Sequence, residues 1–280
     1  MLFSRVMTTG AWTGALPGDH LDLTKMPGHW VLARMGKRVL RPGGVELTKR
    51  MLDALGIDRD DRVVELAPGL GKTTRLVLQR EPQSYVGVER DEAATAIVRR
   101  LLRKPNQACR QGTAAATGLD DASATVVFAE AMLTMQTAAQ KRAIVREAFR
   151  VLEPGGRYGI HELGLTPDDL NDTTKNAINR ELSAAIRVGA RPLTCSEWRH
   201  VLESEGFVVD REVTAPMHLL EPRRLIADEG AAGALRLAYN LATTPAARRR
   251  VMEMRGVFRQ HRDALCAVAL VARKPSLRCL

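Results

Sequence analysis

Arg62-Val63-Val64-Glu65-Leu66-Ala67-Pro68-Gly69-Leu70-Gly71-Lys72-Thr73-Thr74 decides the fold. A β-branched run of buried-strand character enters a glycine-rich turn, and the turn opens a helix. Such a turn brings backbone N–H groups close to a ligand. Three ligands compete for it. A P-loop needs a glycine five positions before the Gly of Gly71-Lys72-Thr73, and Leu66 stands there. The dinucleotide pattern starts well at Gly69 and Gly71, but Thr74 takes its third small position. Glu65 would also face a pyrophosphate with a carboxylate.

Working outward, short β-branched runs alternate with longer helical stretches, the mark of βα units and a mainly parallel sheet. Strands are expected at 62–67, 84–89, 124–129, 157–163, 207–213 and 265–272, with a weak one at 108–111. Helices are expected at 45–55, 71–80, 91–102, 138–152 and 195–205, with Asp91 and Thr194 as start residues. Glu153-Pro154-Gly155-Gly156 reads as a turn between the fourth of these helices and a strand. Residues 1–52 form an expected N-terminal helical cap or lid. Residues 53–280 form the main domain, interrupted at about 222–262 by one or two helices. In that insertion Val251, Met254, Phe258 and Leu265 have the helical spacing of a core stripe.

The acid that spoils the dinucleotide reading supports a third. Glu65-x-x-x-Gly69-x-Gly71 resembles motif I of the class I S-adenosylmethionine-dependent methyltransferases. Tyr85-Val86-Gly87-Val88-Glu89-Arg90 ends the second strand with an acid placed for two ribose hydroxyls. Gln111-Gly112-Thr113-Ala114 is similar to the third motif, with Thr113 at the position of the usual acid. Ala129-Glu130-Ala131-Met132-Leu133 fits the end of the fourth strand. Phe149 to Ile160, through Glu153-Pro154-Gly155-Gly156, resembles the helix, turn and fifth strand of small-molecule methyltransferases, nearest to the ubiquinone-biosynthesis and arsenite branch.

The resemblance covers roughly residues 50–165. It implies a Rossmann-like, seven-stranded, mostly parallel α/β sheet with helices on both faces and an antiparallel last strand. It also implies S-adenosyl-L-methionine as cofactor, held by Glu65, Ala67, Gly69, Gly71, Glu89, Arg90, Gly112, Thr113, Ala114, Glu130 and Ala131. Gly44, in the Arg41-Pro42-Gly43-Gly44 turn, is expected to help close that site.

Methyl transfer is a direct displacement, so the protein mainly aligns a nucleophile about 3 Å from the methyl carbon. Where the nucleophile carries a proton, His161 is the expected base and Glu130 the second candidate, both at strand ends facing the cleft. His161-Glu162 does not open a zinc motif, because Leu165 replaces the second histidine. His20, His29 and Trp30 are pocket candidates if the N-terminal region folds over as a lid.

Composition narrows the partners. With 280 residues, 45% of them hydrophobic, the chain has ample core for a soluble globular protein. The longest apolar run near either end, Ala264 to Ala272, is too short to cross a bilayer, so no span is expected. Arg5 followed by Thr8, Thr9 and Gly10 predicts no secretory leader. Cys109, Cys195, Cys266 and Cys279 are scattered without a C-x-x-C pair, which suits neither zinc nor a disulfide framework and fits a reducing cytoplasm. The net charge of +10 keeps an RNA methyltransferase as an alternative, but aromatics are only 4% and no Asn-Pro-Pro-aromatic motif follows the fourth strand. A small-molecule acceptor is the leading expectation. A noncatalytic cofactor-binding protein on the same fold is the other alternative, kept by Thr113.

Overall fold

Alternating buried strands and amphipathic helices build a single sheet in the computed structural model, which describes residues 16–276. The readings at Arg5, Thr8, Thr9, Gly10 and Cys279 and the first fifteen residues of the expected cap lie outside the described residues. The strands are β1 (Arg62–Leu66), β2 (Ser84–Glu89), β3 (Gln107–Gln111), β4 (Ala124–Glu130), β5 (Leu152–Leu165), β6 (Leu193–Thr194), β7 (Val208–Pro216) and β8 (Leu265–Arg273). The helices are α1 (Gly28–Arg34), α2 (Gly44–Leu55), α3 (Lys72–Leu78), α4 (Glu92–Arg99), α5 (Ala138–Val151), α6 (Asp172–Ile186), α7 (Cys195–Glu203), α8 (Pro222–Thr243) and α9 (Pro245–Gln260).

The sheet runs β3-β2-β1-β4-β5-β8-β7, and β6 adds two residues beside the end of β5. β8 lies antiparallel between β5 and β7, as the resemblance implied. The eighth strand exceeds the seven expected because a two-residue strand leaves no periodic signal. The strand expected to start after the turn at residues 153–156 starts before it. Leu152 still pairs with Ala124, the ladder resumes at Arg157 with Val126, and the four residues between bulge out.

α2, α3 and α4 cover one face, packing Leu47, Met51, Val77 and Val98 on Val63, Tyr85 and Phe128. α5 and α7 cover the other with Ile144, Ala148, Trp198 and Leu202. Capping fixes where these helices begin. Asp91 accepts the Ala94 N–H, and Thr137 and Thr194 each form a reciprocal capping box with Gln140 and Glu197.

A third apolar cluster builds the cap. It joins Val31 and Leu32 of α1, Ile178 and Leu182 of α6, and Val251, Met254 and Phe258 of α9 over Leu163 and Leu165 at the end of β5. The core-stripe reading of Val251, Met254, Phe258 and Leu265 holds, since all four are buried. The expected boundary after residue 52 cuts α2, which packs on the sheet and belongs to its outer layer. α6 joins the cap without having been signalled: its stripe is short and its charged face dilutes the period.

Candidate active site

The chain reverses direction across the sheet between β1 and β4, and such switch points leave a crevice at the carboxyl ends of the strands. A cavity of about 890 Å³ opens there. One end is polar and formed by the loops after β1, β2, β3 and β4. The other is apolar and lies under α1, α6 and α9, with Leu163, Leu182, Ile186, Met217, Met254 and Phe258.

Glu65, Ala67 and Gly69 line the polar end on the glycine loop. Gly69 has φ +55°, and a side chain there would project into open space, with Ala67 O the nearest atom at 4.0 Å. At Gly69 the loop therefore meets the cavity with bare backbone, between Pro68 and Leu70. Gly71, expected to bind as well, does not line the cavity: at φ +68° its missing Cβ would sit 2.4 Å from Leu101, so this glycine lets the loop pack on the chain beyond α4.

Glu65 is 3% exposed. Its Oε2 accepts from Tyr85 OH at 2.6 Å and Thr74 Oγ1 at 2.8 Å. Burial, only partly offset by these two donors, pushes its carboxyl up to about 7. Glu89 is likewise buried at the tip of β2 and raised by desolvation. Its oxygens accept the backbone N–H groups of Gly69 at 2.9 Å and Asp91 at 3.0 Å, so it ties β2 to the glycine loop while facing the cavity. Arg90, Gly112, Thr113 and Ala114 complete this wall.

Glu130, at the end of β4, is the centre of a buried polar network. Its Oε1 accepts from Thr48 Oγ1 at 2.6 Å and lies 2.8 Å from His161 Nδ1 and 3.3 Å from Arg41 Nε. Thr73 donates to its other oxygen. Burial alone would raise this carboxyl, but Arg41, His161 and Thr48 outweigh it and hold the group near 2. Ala131 beside it faces the cavity and donates its N–H to the His161 carbonyl at 2.7 Å.

The base expected at His161 is not placed to serve. The ring is fully buried and does not line the cavity. Its Nε2 lies 2.6 Å from the Pro42 carbonyl and its Nδ1 faces the Glu130 carboxylate. Both ring nitrogens are thus taken up by contacts inside the protein, and neither is presented to a substrate proton. Glu130, as ionised as it is, is a weak proton acceptor too. Gly44 is also away from the cavity. A Cβ there would lie 2.3 Å from Asp228 Oδ1, so its bareness admits α8 rather than a ligand.

His29 and Trp30 do line the cavity from α1, with their rings 4.5 Å apart, whereas His20 does not. Desolvation, aided by Arg90, brings His29 down to about 4 and keeps its ring neutral. Sequence reasoning missed Thr48, Thr73 and Tyr85 as carboxylate donors, because nothing local says which acid a threonine will meet. It also passed over Glu162, whose two oxygens accept the N–H groups of Met132, Leu133 and Thr134 and order the chain after β4.

A glycine loop at the switch point, with a carboxylate on each of β1, β2 and β4, is the ground plan of enzymes that bind S-adenosylmethionine on a Rossmann-like sheet. Residues 64–160 match a family model described as a methyltransferase domain. An uncharacterized protein of Haemophilus influenzae is 32% identical over 218 residues, covering 76% of this chain and 84% of the relative. An uncharacterized methyltransferase-like protein of Schizosaccharomyces pombe is 28% identical over 163 residues, 58% of this chain and 60% of the relative. Among solved structures, the Haemonchus contortus phosphoethanolamine N-methyltransferase 2, in complex with phosphomonomethylethanolamine and S-adenosylhomocysteine, superposes with a TM-score of 0.67 at 15% identity, over 89% of this chain and 58% of that one. Residues 64–160 thus form a methyltransferase domain on the class I fold: the protein is a methyltransferase enzyme, and S-adenosylmethionine is its cofactor. The polar end fits that group, since it offers bare backbone at Gly69, a buried carboxylate for a cation and a second acid at a strand tip. Among the described residues no helix is long and apolar enough to cross a membrane.

Proposed function

We propose that this methyltransferase transfers the methyl group to a small, largely apolar molecule by direct displacement. One observation carries the reading: the cavity continues from its polar end into an apolar end enclosed by α1, α6 and α9. An apolar chamber covered by three helices suits a small acceptor better than a polymer. When bound, S-adenosylmethionine supplies a methyl group on a sulfonium, which is already a good leaving group.

The chain's own part is to bind, orient and keep water out. Glu65 takes the cationic amine of the cofactor, and Ala67 and Gly69 let backbone approach it. Glu89 takes the ribose hydroxyls, with Arg90 beside it, while Gly112, Thr113 and Ala114 flank the adenine. Glu130 and Ala131 form the wall next to the transferred methyl. His161 is a positioning residue that fixes Glu130 and ties Pro42 to the sheet. The acceptor class is that of the ubiquinone-biosynthesis and arsenite branch, and the free thiols of Cys109, Cys195 and Cys266 suit a reducing cytoplasm.

Calorimetric titration with S-adenosylhomocysteine tests the cofactor end: binding in the micromolar range is expected, and none at millimolar ligand would sink the reading. Incubation of cell extract with methyl-labelled cofactor, followed by separation of RNA, protein and small organic fractions, tests the acceptor. Label is expected in the small organic fraction. One observation favours RNA instead. A groove of about 1000 Å³ on the outer side of the cap gathers Arg223, Arg224, Arg255, Arg259 and Arg262 against Glu46 and Glu221. Label in RNA, with binding that falls steeply as salt rises, would move the assignment there.

A further inference from the structure

Arg41 precedes α2, is 6% exposed and lines the cavity. Only part of its guanidinium is used. Nε donates to Thr48 Oγ1 at 2.5 Å and lies 3.3 Å from Glu130, whereas Nη2 is sealed from solvent and has no hydrogen-bond partner. A charged donor left unpaired in a buried place is costly, and a planar fork is the group best shaped for a carboxylate.

The position narrows what that carboxylate belongs to. Arg41 stands close enough to Glu65 for the two charges to act on each other, and both face the same end of the cavity. An α-amino acid carries its amine and its carboxylate on one carbon, so a protein that holds the amine with an acid has the carboxylate within a few ångströms of it, where a cation is well placed to receive it. The other cations on this wall are otherwise placed. Arg38 Nη1 donates to the Ala33 carbonyl at 3.1 Å, and Arg90 follows Glu89 at the tip of β2. Lys72, at the start of α3, is the half-buried competitor.

We propose that Arg41 receives the α-carboxylate of the cofactor, so that Arg41 and Glu65 together clamp its zwitterionic tail. This rests on the reading that the tail lies at the Glu65 end. It makes the segment before α2 a part of the cofactor site through Arg41 rather than through Gly44.

The test compares two ligands that differ only in the carboxylate: S-adenosylhomocysteine and its decarboxylated analogue, S-(5′-adenosyl)-3-thiopropylamine, both titrated calorimetrically. The wild-type chain is expected to bind the first at least about tenfold more tightly. Arg41→Gln should weaken it by roughly tenfold to a hundredfold, the span of a charge-assisted hydrogen bond, and shift the analogue by less than about threefold, so that the preference disappears. Arg41→Lys should retain part of it. Because Arg41→Gln leaves Glu130 without its cation, Arg41→Gln/Glu130→Gln provides a neutral pair if the single variant does not fold. Equal affinity of the wild-type chain for both ligands overturns the proposal. So does a parallel loss for both in Arg41→Gln, which would mean that Arg41 only balances Glu130, or loss of the preference in Lys72→Gln with none in Arg41→Gln. Failure of both ligands to bind the folded wild-type chain would instead overturn the placement of the cofactor itself.

Discussion

The two ends of the cavity are held by opposite means. At the polar end, Glu65, Glu130, His161 and Glu162 are all at or below 8% exposure or fully buried, and each is fixed by named donors or acceptors. At the cap, Met26, Leu182, Met254 and Phe258 meet through side chains that carry no directional bond. A buried charge tolerates one geometry, because any loss of partner strands it in a poor solvent. An apolar cluster rich in methionine can repack around a change. Chemistry that needs a cofactor in one pose and an acceptor of variable shape is served by that division.

The largest effect is expected at Glu130. Glu130→Leu would strip Arg41, His161, Thr48 and Thr73 of their common acceptor and leave buried cationic groups unpaired. A loss of about 3–5 kcal/mol is expected, read as the shift of the urea midpoint at constant slope. A loss below about 1 kcal/mol would show that the network does not anchor this end.

In the cap, Met254→Ala should cost about 2–4 kcal/mol through the space it leaves against Gly28, Ile186 and α1. The contrast lies in the repair. Met254→Leu should recover most of the loss, since volume-conserving apolar swaps usually cost under about 1.5 kcal/mol. Glu130→Gln keeps the size but loses the charge, and should recover much less of the loss seen in Glu130→Leu. Equal repair at the two sites in chemical denaturation would erase the distinction.

The same contrast explains what the sequence disclosed. The polar end was legible as positions, because the glycine loop and the acids near the ends of β1, β2 and β4 occur at spacings fixed by local backbone geometry. Their partners were not. Glu130 meets Thr48, and His161 meets Pro42, across more than eighty residues of chain, and no periodicity encodes such encounters. His161 looked like a base because its strand end faces the cleft, but its ring is turned into the Pro42 and Glu130 contacts behind the wall. In the cap, the stripe on α9 was readable from its period, whereas α6 and the bond from the Val45 N–H to Asp228 depend on how three distant segments close over the sheet.

Titration of Glu65 sharpens the polar end. Its folded value, about 7, lies above that of an ordinary carboxyl, so between roughly pH 4.5 and 7 the folded chain binds more protons than the unfolded chain. This group's contribution to stability therefore declines as pH rises through that window and is flat above it. Cofactor affinity should run the other way, since a cationic amine needs the carboxylate. From pH 5.5 to 8 the affinity for S-adenosylhomocysteine should rise about thirtyfold, as a group titrating near 7 goes from almost wholly protonated to mostly ionised. Glu65→Gln should bind weakly and lose that slope. A slope unchanged in the variant would assign the titration to another group.

The smallest effect is expected where a charged pair sits inside the otherwise apolar cap. Glu229 Oε1 accepts the N–H groups of Arg38 at 2.9 Å and Val39 at 2.8 Å, and lies 3.7 Å from Lys37 Nζ. Asp228 stands 3.6 Å from the same ammonium and accepts the Val45 N–H at 3.0 Å. These two acids fasten the segment before α2 to α8. Glu229→Gln keeps an oxygen for both backbone donors and leaves Asp228 to balance Lys37, so it should cost only about 1 kcal/mol, the difference between charge-assisted and neutral hydrogen bonds. Glu229→Ala strips both donors and should cost about 2–3 kcal/mol. If thermal melts show the two substitutions to be equally costly, charge and not backbone bonding fastens the segment, and the cap would then share the rule of the polar end at this one seam.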